Sequence, residues 1–433
     1  MIKPNISKPR LAELNPPNRL MMTPGPSSCD PRVYRALSTP LVGHMDPWFN
    51  DYLIPDIADL MRYVFQTENR ITFPISASGS GGIEASVLNP LEQGDEAIVC
   101  VNGWFSERMA VIAERATDKV IRVEAPYGRT VDLDDIRRAG KGRKIKILGL
   151  AHGETSTGVV QNLDGYRKVA DELGALLVVD AVATLAGVPL AIDQQRIDIC
   201  FSGTQKALSC PPGMAPITVS PRAEEVIKAR KSKVQSWYFD LTNTMSMWGS
   251  ERLYHHTPPI SLMFALREAM RMVAEESLEA RWERHRQNQY ALIAGVEAMG
   301  LSCFVLDMAD RLPTVTSVCV PEGVDDVKAR KQLLSEFGIE IAGGFGPLKG
   351  KMWRLGLMGF ASQSKNVLLL LAALEKCLLD QGFRTSPGAG VGAAVRSYAQ
   401  SHTAASSAST SNAAQPVPVG ARKQESRKSF AAK

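Results

Sequence analysis

Leu176-Leu-Val-Val-Asp180, followed downstream by Ile197-Asp-Ile-Cys-Phe-Ser-Gly-Thr-Gln-Lys206, sets the fold class of this 433-residue chain. Each apolar run is too short for a helix and lacks the apolar-polar alternation of a half-exposed strand, so both read as strands buried on two faces. Working backwards, Ile145-Lys-Ile-Leu-Gly-Leu150 and Ala97-Ile-Val-Cys-Val101 have the same character. Between them, Trp104 to Arg115 and Asp164 to Leu173 carry helical periodicity, and Gly174 follows the second as a C-terminal cap would. Strand, helix, strand at this spacing predicts an α/β fold, a mostly parallel sheet flanked by helices. After about Pro259 the pattern changes: Leu262, Leu266, Met270 and Val273 fall at helical spacing, Pro313 to Val320 and Met352 to Leu357 read as strands, and Lys328 to Phe337 and Lys365 to Leu379 as helices. The reading is a large α/β domain over 21–258 and a smaller C-terminal α+β domain over 259–384.

Composition excludes several classes. At 45% hydrophobic and 22% charged residues the chain is that of an ordinary globular protein, not a fibrous one. No apolar run approaches the roughly 18 residues of a membrane-spanning helix, and Pro4, Pro9, Pro16 and Pro17 interrupt the place where a signal peptide needs an apolar core, so a cytoplasmic protein without membrane association is expected. The net charge of +5 resides in the tail: from Thr385 onward six Lys or Arg face Glu425 alone. A neutral body argues against nucleic acid as a partner, because phosphate binding needs positive charge on a folded face. The tail, 385–433, is rich in Ala, Ser, Gly and Thr and reads as a disordered basic segment. Seven cysteines without a C-x-x-C pair read as reduced, buried side chains.

Two residues then stand out. Asp180 is a lone carboxylate at the carboxyl end of a buried parallel strand, where such sheets open their ligand crevice; helix capping is the competing role. Lys206 closes the next apolar strand through small polar residues. A lysine able to form a Schiff base and an acid able to hold a pyridine nitrogen protonated are what pyridoxal 5′-phosphate chemistry requires. Ser76-Ala-Ser78-Gly79-Ser80-Gly81-Gly82, leading into the helical Ile83 to Leu88, offers backbone N–H groups and a helix N-terminus to a phosphate. The dinucleotide G-x-G-x-x-G and the Walker A spacings are absent. Arg354, inside Met352-Trp-Arg-Leu-Gly-Leu357, wants a carboxylate or phosphate partner, either a ligand's or an internal one. Tyr254-His-His-Thr257 could donate hydrogen bonds; its paired histidines lack a third ligand at sensible spacing, so no metal is expected.

In order along the chain, Thr23-Pro-Gly-Pro26, His152-Gly-Glu-Thr-Ser-Thr-Gly158, Asp180-Ala-Val-Ala-Thr184, Gly203-Thr-Gln-Lys206, Tyr254-His-His-Thr257 and the Arg354 strand resemble the class V aminotransferases of fold type I. Within that class the chain is similar to the alanine-glyoxylate and serine-glyoxylate aminotransferases and to the bacterial ureidoglycine-glyoxylate aminotransferases. The resemblance implies a pyridoxal phosphate enzyme in which Lys206 binds the cofactor and moves the proton, Asp180 pairs with the pyridine nitrogen, and Val182 and Phe105 pack on the two ring faces. It further implies that Ser78, Gly79, Ser80 and Gln205 hold the phosphate, Thr155 contacts the ring hydroxyl, and Arg354 clamps the substrate carboxylate. Tyr254 and Thr257 would assist from the other subunit of a homodimer, with residues 1–20 as an arm across the partner. The substrates implied are an amino acid and glyoxylate or another 2-oxo acid. His44 and Trp237 occupy positions where the ureidoglycine branch carries Gln and Asn, so alanine or serine is expected as donor, with ureidoglycine as the alternative. A cofactor-free scaffold would have had no need of both Lys206 and Asp180. A desulfurase would want a reactive cysteine on a loop before Arg354, where only Cys303 and Cys319 occur, both in apolar context.

Overall fold

A computed structural model describes residues 12–411. The strands are β1 (Leu20–Met21), β2 (Ile71–Ile75), β3 (Glu96–Val101), β4 (Lys119–Glu124), β5 (Ile145–Ala151), β6 (Gly153–Glu154), β7 (Val159–Val160), β8 (Leu176–Asp180), β9 (Ile199–Phe201), β10 (Ala215–Val219), β11 (Val315–Cys319), β12 (Ile339–Glu340), β13 (Ala342–Gly343) and β14 (Met352–Gly356). The helices are α1 (Pro31–Leu37), α2 (Ile54–Phe65), α3 (Gly79–Leu88), α4 (Trp104–Ala116), α5 (Leu133–Gly140), α6 (Asp164–Glu172), α7 (Pro221–Lys228), α8 (Leu241–Trp248), α9 (Ile260–Glu276), α10 (Leu278–Ala298), α11 (Asp326–Phe337), α12 (Ser364–Leu379) and α13 (Ala389–Ser411).

A seven-stranded sheet ordered β2-β10-β9-β8-β5-β3-β4 organises the first part of the chain. Its pairs from β9 to β4 are parallel, while β10 runs antiparallel to both β9 and β2. The period of two along each strand divides the core. Ile98, Cys100, Leu177 and Val179 join the cluster on one face with α2, α6 and α9, whereas Ala97, Val99, Val101, Leu176 and Val178 join the other with α3, α4 and α7. Burial on both faces is the reason these strands read as continuous apolar runs. A three-stranded antiparallel sheet, β11-β14-β13, packs with α10, α11 and α12 around Trp353, Leu355 and Leu371.

Two features of chain organisation follow from packing. Helix α9 begins where the composition changes, yet its Met263, Leu266, Met270 and Val273 lie in the core of the large sheet. At the other end, β1 pairs in parallel with β12, and Met22 joins the core of the small sheet, so the segment 20–27 passes from the second unit to the first.

The expectation of disorder from Thr385 is corrected over its first part by α13; residues 412–433 lie outside the described residues. Composition misled because small side chains here serve close packing. Gly390 of α13 and Gly295 of α10 face each other so closely that a Cβ on either would press on the other's carbonyl oxygen. Glu375 accepts hydrogen bonds from the N–H groups of Gly388 (2.6 Å) and Gly390 (3.3 Å) at the start of α13, Ala394 is fully buried, and the Tyr398 hydroxyl donates to Asn288 Oδ1 at 2.7 Å.

Candidate active site

The parallel strands deliver their following loops to one edge of the sheet, as open α/β sheets do at their carboxyl ends. There a cleft of ≈ 510 Å³, counted out to its mouth, lies among the loop and helix start after β2, the start of α4, the turn after β8 and the loop after β9. Ser78, Gly79, Ser80, Phe105, Thr155, Asp180, Val182, Gln205 and Lys206 all line it, so nine residues singled out in the sequence meet in one place.

Asp180 ends β8, and the Val182 N–H donates to its Oδ1 at 2.8 Å; among the described residues it is the only donor to this carboxylate. Burial pushes the Asp180 carboxyl up to about 7, since a charge with so little solvation is disfavoured unless a cationic group faces it. Lys206 is held by its backbone: the Ser27 hydroxyl donates to its carbonyl at 2.7 Å, and the Ser209 N–H does so at 2.9 Å. Its amino group donates to the Pro24 carbonyl. Burial lowers the amine to about 8, with the nearby Arg354 charge adding to the effect and Asp180 and Glu154 opposing it. Gly25 lies against that amino group with φ +110°; a Cβ there would fall on Lys206 Nζ, Cε and Cδ, so the Thr23-Pro24-Gly25-Pro26 turn can pass over the lysine only with glycine at this position.

Helix α3 opens towards the cleft with Ser78 as N-cap, and the Ser78 side chain makes no capping bond, leaving the helix start free for an anion. The Gln205 Oε1 is buried without a hydrogen-bond partner, a polar atom that the protein alone does not satisfy. Val182 and Phe105 line the same cleft. A carboxyl in need of a cation, an amine of lowered pKa, an open helix N-terminus and two apolar walls fit the chemistry of pyridoxal 5′-phosphate, which has a ring nitrogen for Asp180 and a phosphate for α3.

Arg354 does not itself line the cleft but reaches it through Thr155. The period of two in β14 turns Trp353 and Leu355 into the small-sheet core and Arg354 to the opposite side. Its Nε donates to the Gly343 carbonyl at 2.8 Å and its Nη1 to the Thr155 carbonyl at 3.2 Å, while the Phe345 ring lies 4.1 Å from the guanidinium carbon. No carboxylate pairs with it among the described residues, so the internal salt bridge that would have explained a buried arginine is absent there. Burial lowers this guanidinium to about 10. A buried cation tied only to carbonyls is poised for an incoming anion.

Four sequence candidates are not brought to this cleft. Tyr254 is 63% exposed and shares a 3.3 Å hydroxyl contact with the exposed Thr257; His44 packs tilted against Tyr254 at 5.4 Å between centroids, and Trp237 likewise against His255 at 4.5 Å. They cluster on one surface of the same chain. No group of three or more His, Cys, Asp or Glu among the described residues could hold a metal ion.

Three contributors escaped the sequence reading. Glu154, fully buried, accepts hydrogen bonds from the N–H groups of Phe105 (3.1 Å) and Ser106 (2.9 Å), closing the start of α4 and fixing Phe105 in place. Its signal was an acid in an otherwise small, polar loop. Arg108 lines the cleft and donates to Ser80 Oγ at 3.0 Å; its spacing of three from Phe105 places both on one helix face. The Pro24 carbonyl has no side-chain signal at all.

Residues 57–361 match the family described as Aminotransferase class-V. The chain is 42% identical over 404 residues to the (S)-ureidoglycine–glyoxylate transaminase of Bacillus subtilis (strain 168), covering 89% of this chain and 97% of that one. It is 41% identical over 375 residues to the alanine–glyoxylate aminotransferase of Callithrix jacchus, covering 86% and 90%. The crystal structure of the ureidoglycine-glyoxylate aminotransferase from Bacillus subtilis superposes with a TM-score of 0.87 at 43% identity, over 89% of this chain and 100% of that one. A match running through every wall of a cleft built around Lys206 and Asp180 makes this chain an aminotransferase, a member of the class-V aminotransferase family.

Proposed function

We propose that this aminotransferase transfers the amino group of alanine or serine to glyoxylate, with pyridoxal 5′-phosphate held on Lys206, and that it works as a cytoplasmic homodimer. The observation that carries the reading is the placement of a buried amine, Lys206, and a buried carboxyl, Asp180, on the walls of one cleft, with the buried Arg354, which has no carboxylate partner among the described residues, behind Thr155.

Once bound, the cofactor supplies an electron sink for the bond broken at the amino acid's α-carbon. The chain's own residues do the rest. Asp180 keeps a proton on the ring nitrogen, gaining a cationic partner for a carboxylate that burial otherwise disfavours. Val182 and Phe105, which line the cleft, would be the apolar side chains that hold the cofactor ring. Lys206 Nζ, largely desolvated and partly neutral near pH 8, would take the substrate's α-proton and hold it for return. Arg354 would receive the substrate carboxylate through Nη2 and the N–H of Nη1 not given to Thr155, because Nε is committed to Gly343 and Phe345 covers a face. Two small acids occupying this position in turn make the reaction ping-pong.

The dimer is supported by the surface that carries Tyr254, Thr257, His44 and Trp237. Leu41, Met45, Trp48, Tyr52 and Leu253 are also exposed there, and a concentration of large apolar side chains of this kind supports an interface. In a dimer these residues would reach the site of a second copy, which accounts for their distance from the cleft in their own chain. Ureidoglycine is the second reading, favoured by the Bacillus subtilis relative; His44 and Trp237 weigh against it, since they lack the amides that would satisfy a buried ureido group.

The test is chemical trapping. Borohydride treatment should fix the cofactor on the peptide that contains Lys206, and Lys206→Ala should abolish both trapping and turnover. A Lys206→Ala protein that turns over at the unmodified rate would end the assignment.

A further inference from the structure

The phosphate end of the cleft has a cation that none of the roles above uses. Among the described residues, apart from Lys206, whose amino group lies at the Pro24 carbonyl, Arg108 is the one positively charged side chain lining the cleft. It projects from the second turn of α4. Nη1 donates to Ser80 Oγ at 3.0 Å, on the first turn of α3, and the guanidinium carbon lies 5.1 Å from the centroid of the Phe105 ring. Among the described residues no carboxylate pairs with it, and its remaining N–H groups have no protein acceptor. An arginine with no ion-pair contact among the described residues, feeling only the field of Asp180 across the cleft, and set beside an open helix N-terminus is matched to a dianion, because the fork geometry of a guanidinium suits phosphate oxygens.

We infer that Arg108 is a positioning residue for the cofactor's phosphate: it supplies the cationic charge of the cradle and, through one planar group, couples the phosphate position to the orientation of the Phe105 ring. This rests on the cofactor reading above. Helix α3 contributes N–H groups and a partial positive charge, Gln205 an amide, and Ser78 and Ser80 hydroxyls; full positive charge comes from Arg108. The Ser80 hydroxyl, by accepting from Nη1, aims the guanidinium at the helix start and turns its own proton outward. The stacking on Phe105 then makes phosphate occupancy and ring packing interdependent, since displacing the guanidinium removes the support on one face of that ring.

The inference is tested by binding to protein freed of cofactor, followed by absorbance, with three probes: pyridoxal 5′-phosphate, unphosphorylated pyridoxal, and inorganic phosphate as competitor. Arg108→Met should weaken pyridoxal 5′-phosphate binding by at least about tenfold, leave pyridoxal within about twofold, and make phosphate a correspondingly poorer competitor. Arg108→Lys, which keeps the charge but loses the planar fork and its packing on Phe105, should bind pyridoxal 5′-phosphate less tightly than the unmodified protein and more tightly than Arg108→Met. Unchanged affinity in Arg108→Met, equal losses for the phosphorylated and unphosphorylated aldehydes, or an Arg108→Lys protein as deficient as Arg108→Met would each overturn the role; equal losses would mean that Arg108 only props Phe105. If the unmodified protein takes up neither aldehyde, the cofactor reading itself fails and this inference with it. If it takes up pyridoxal 5′-phosphate and Arg108→Met does so equally well, only the inference fails.

Discussion

The lowered pKa of Lys206 makes a quantitative prediction about how the unloaded protein captures an aldehyde. Only the neutral amine attacks a carbonyl, so the rate follows the unprotonated fraction. With burial holding the amine at about 8, at about pH 7.5 roughly a quarter of Lys206 is neutral, against about one in a thousand for an ordinary lysine, an advantage of about two hundredfold. Stopped-flow absorbance of pyridoxal addition to cofactor-free protein, repeated across pH, should give a rate that climbs from pH 6 and levels off above about 8. Unphosphorylated pyridoxal is the probe of choice because no phosphate contact then limits the rate. Replacing the second contributor, Arg354→Met, removes a positive charge that disfavours protonation, so the midpoint should move to higher pH. A rate still rising through pH 10 in the unmodified protein would show that Nζ is hydrated like a surface lysine and would refute the argument.

Asp180→Asn should lower kcat at least about a hundredfold, roughly 2.7 kcal/mol in the barrier, by removing the charge that keeps the ring nitrogen protonated. In cofactor-free protein its effect reverses: the folded carboxyl titrates near 7, above its unfolded value, so its favourable share of stability is complete below about pH 4 and lost as pH rises through 7, and Asp180→Asn should be the more stable form in denaturant melts above pH 7, by at most about 4 kcal/mol. Gly25→Ala should place a methyl on the Lys206 side chain in a strained backbone and reduce the fraction of protein purified with cofactor at least about tenfold, with little change in far-ultraviolet circular dichroism. Truncation after Phe383 should lower the melting temperature by several degrees, because α13 buries Ala394 and pairs Tyr398 with Asn288; an unchanged melt would mean that α13 adds nothing to the fold.

Legibility followed the physics of each element. The central strands were plain because burial on two faces leaves an uninterrupted apolar run, and Asp180 and Arg354 stood out because a charge inside such a run needs a partner, although a helix cap for the one and an internal salt bridge for the other read equally from the sequence. Lys206 followed from its place after β9. What failed were inferences that composition cannot support. Thr385 to Tyr398 looked disordered for want of large apolar residues, yet Gly390 and Ala394 stabilise α13 by letting helices approach closely. The stripe on α9 announced a helix but not which sheet it would cover. Arg108 was within reach, three residues from Phe105, though nothing in the spacing alone said that Ser80 would lie opposite. The Pro24 carbonyl over Lys206 depends on β1 pairing with β12, a contact across most of the chain that local pattern does not encode.

The donor is the sharpest point of the account. With alanine, serine and ureidoglycine present together and glyoxylate in excess, the unmodified enzyme should consume alanine or serine faster than ureidoglycine by roughly tenfold or more for each hydrogen bond the ureido group cannot make beside His44 and Trp237. Faster consumption of ureidoglycine in that mixture would contradict the assignment and establish the alternative.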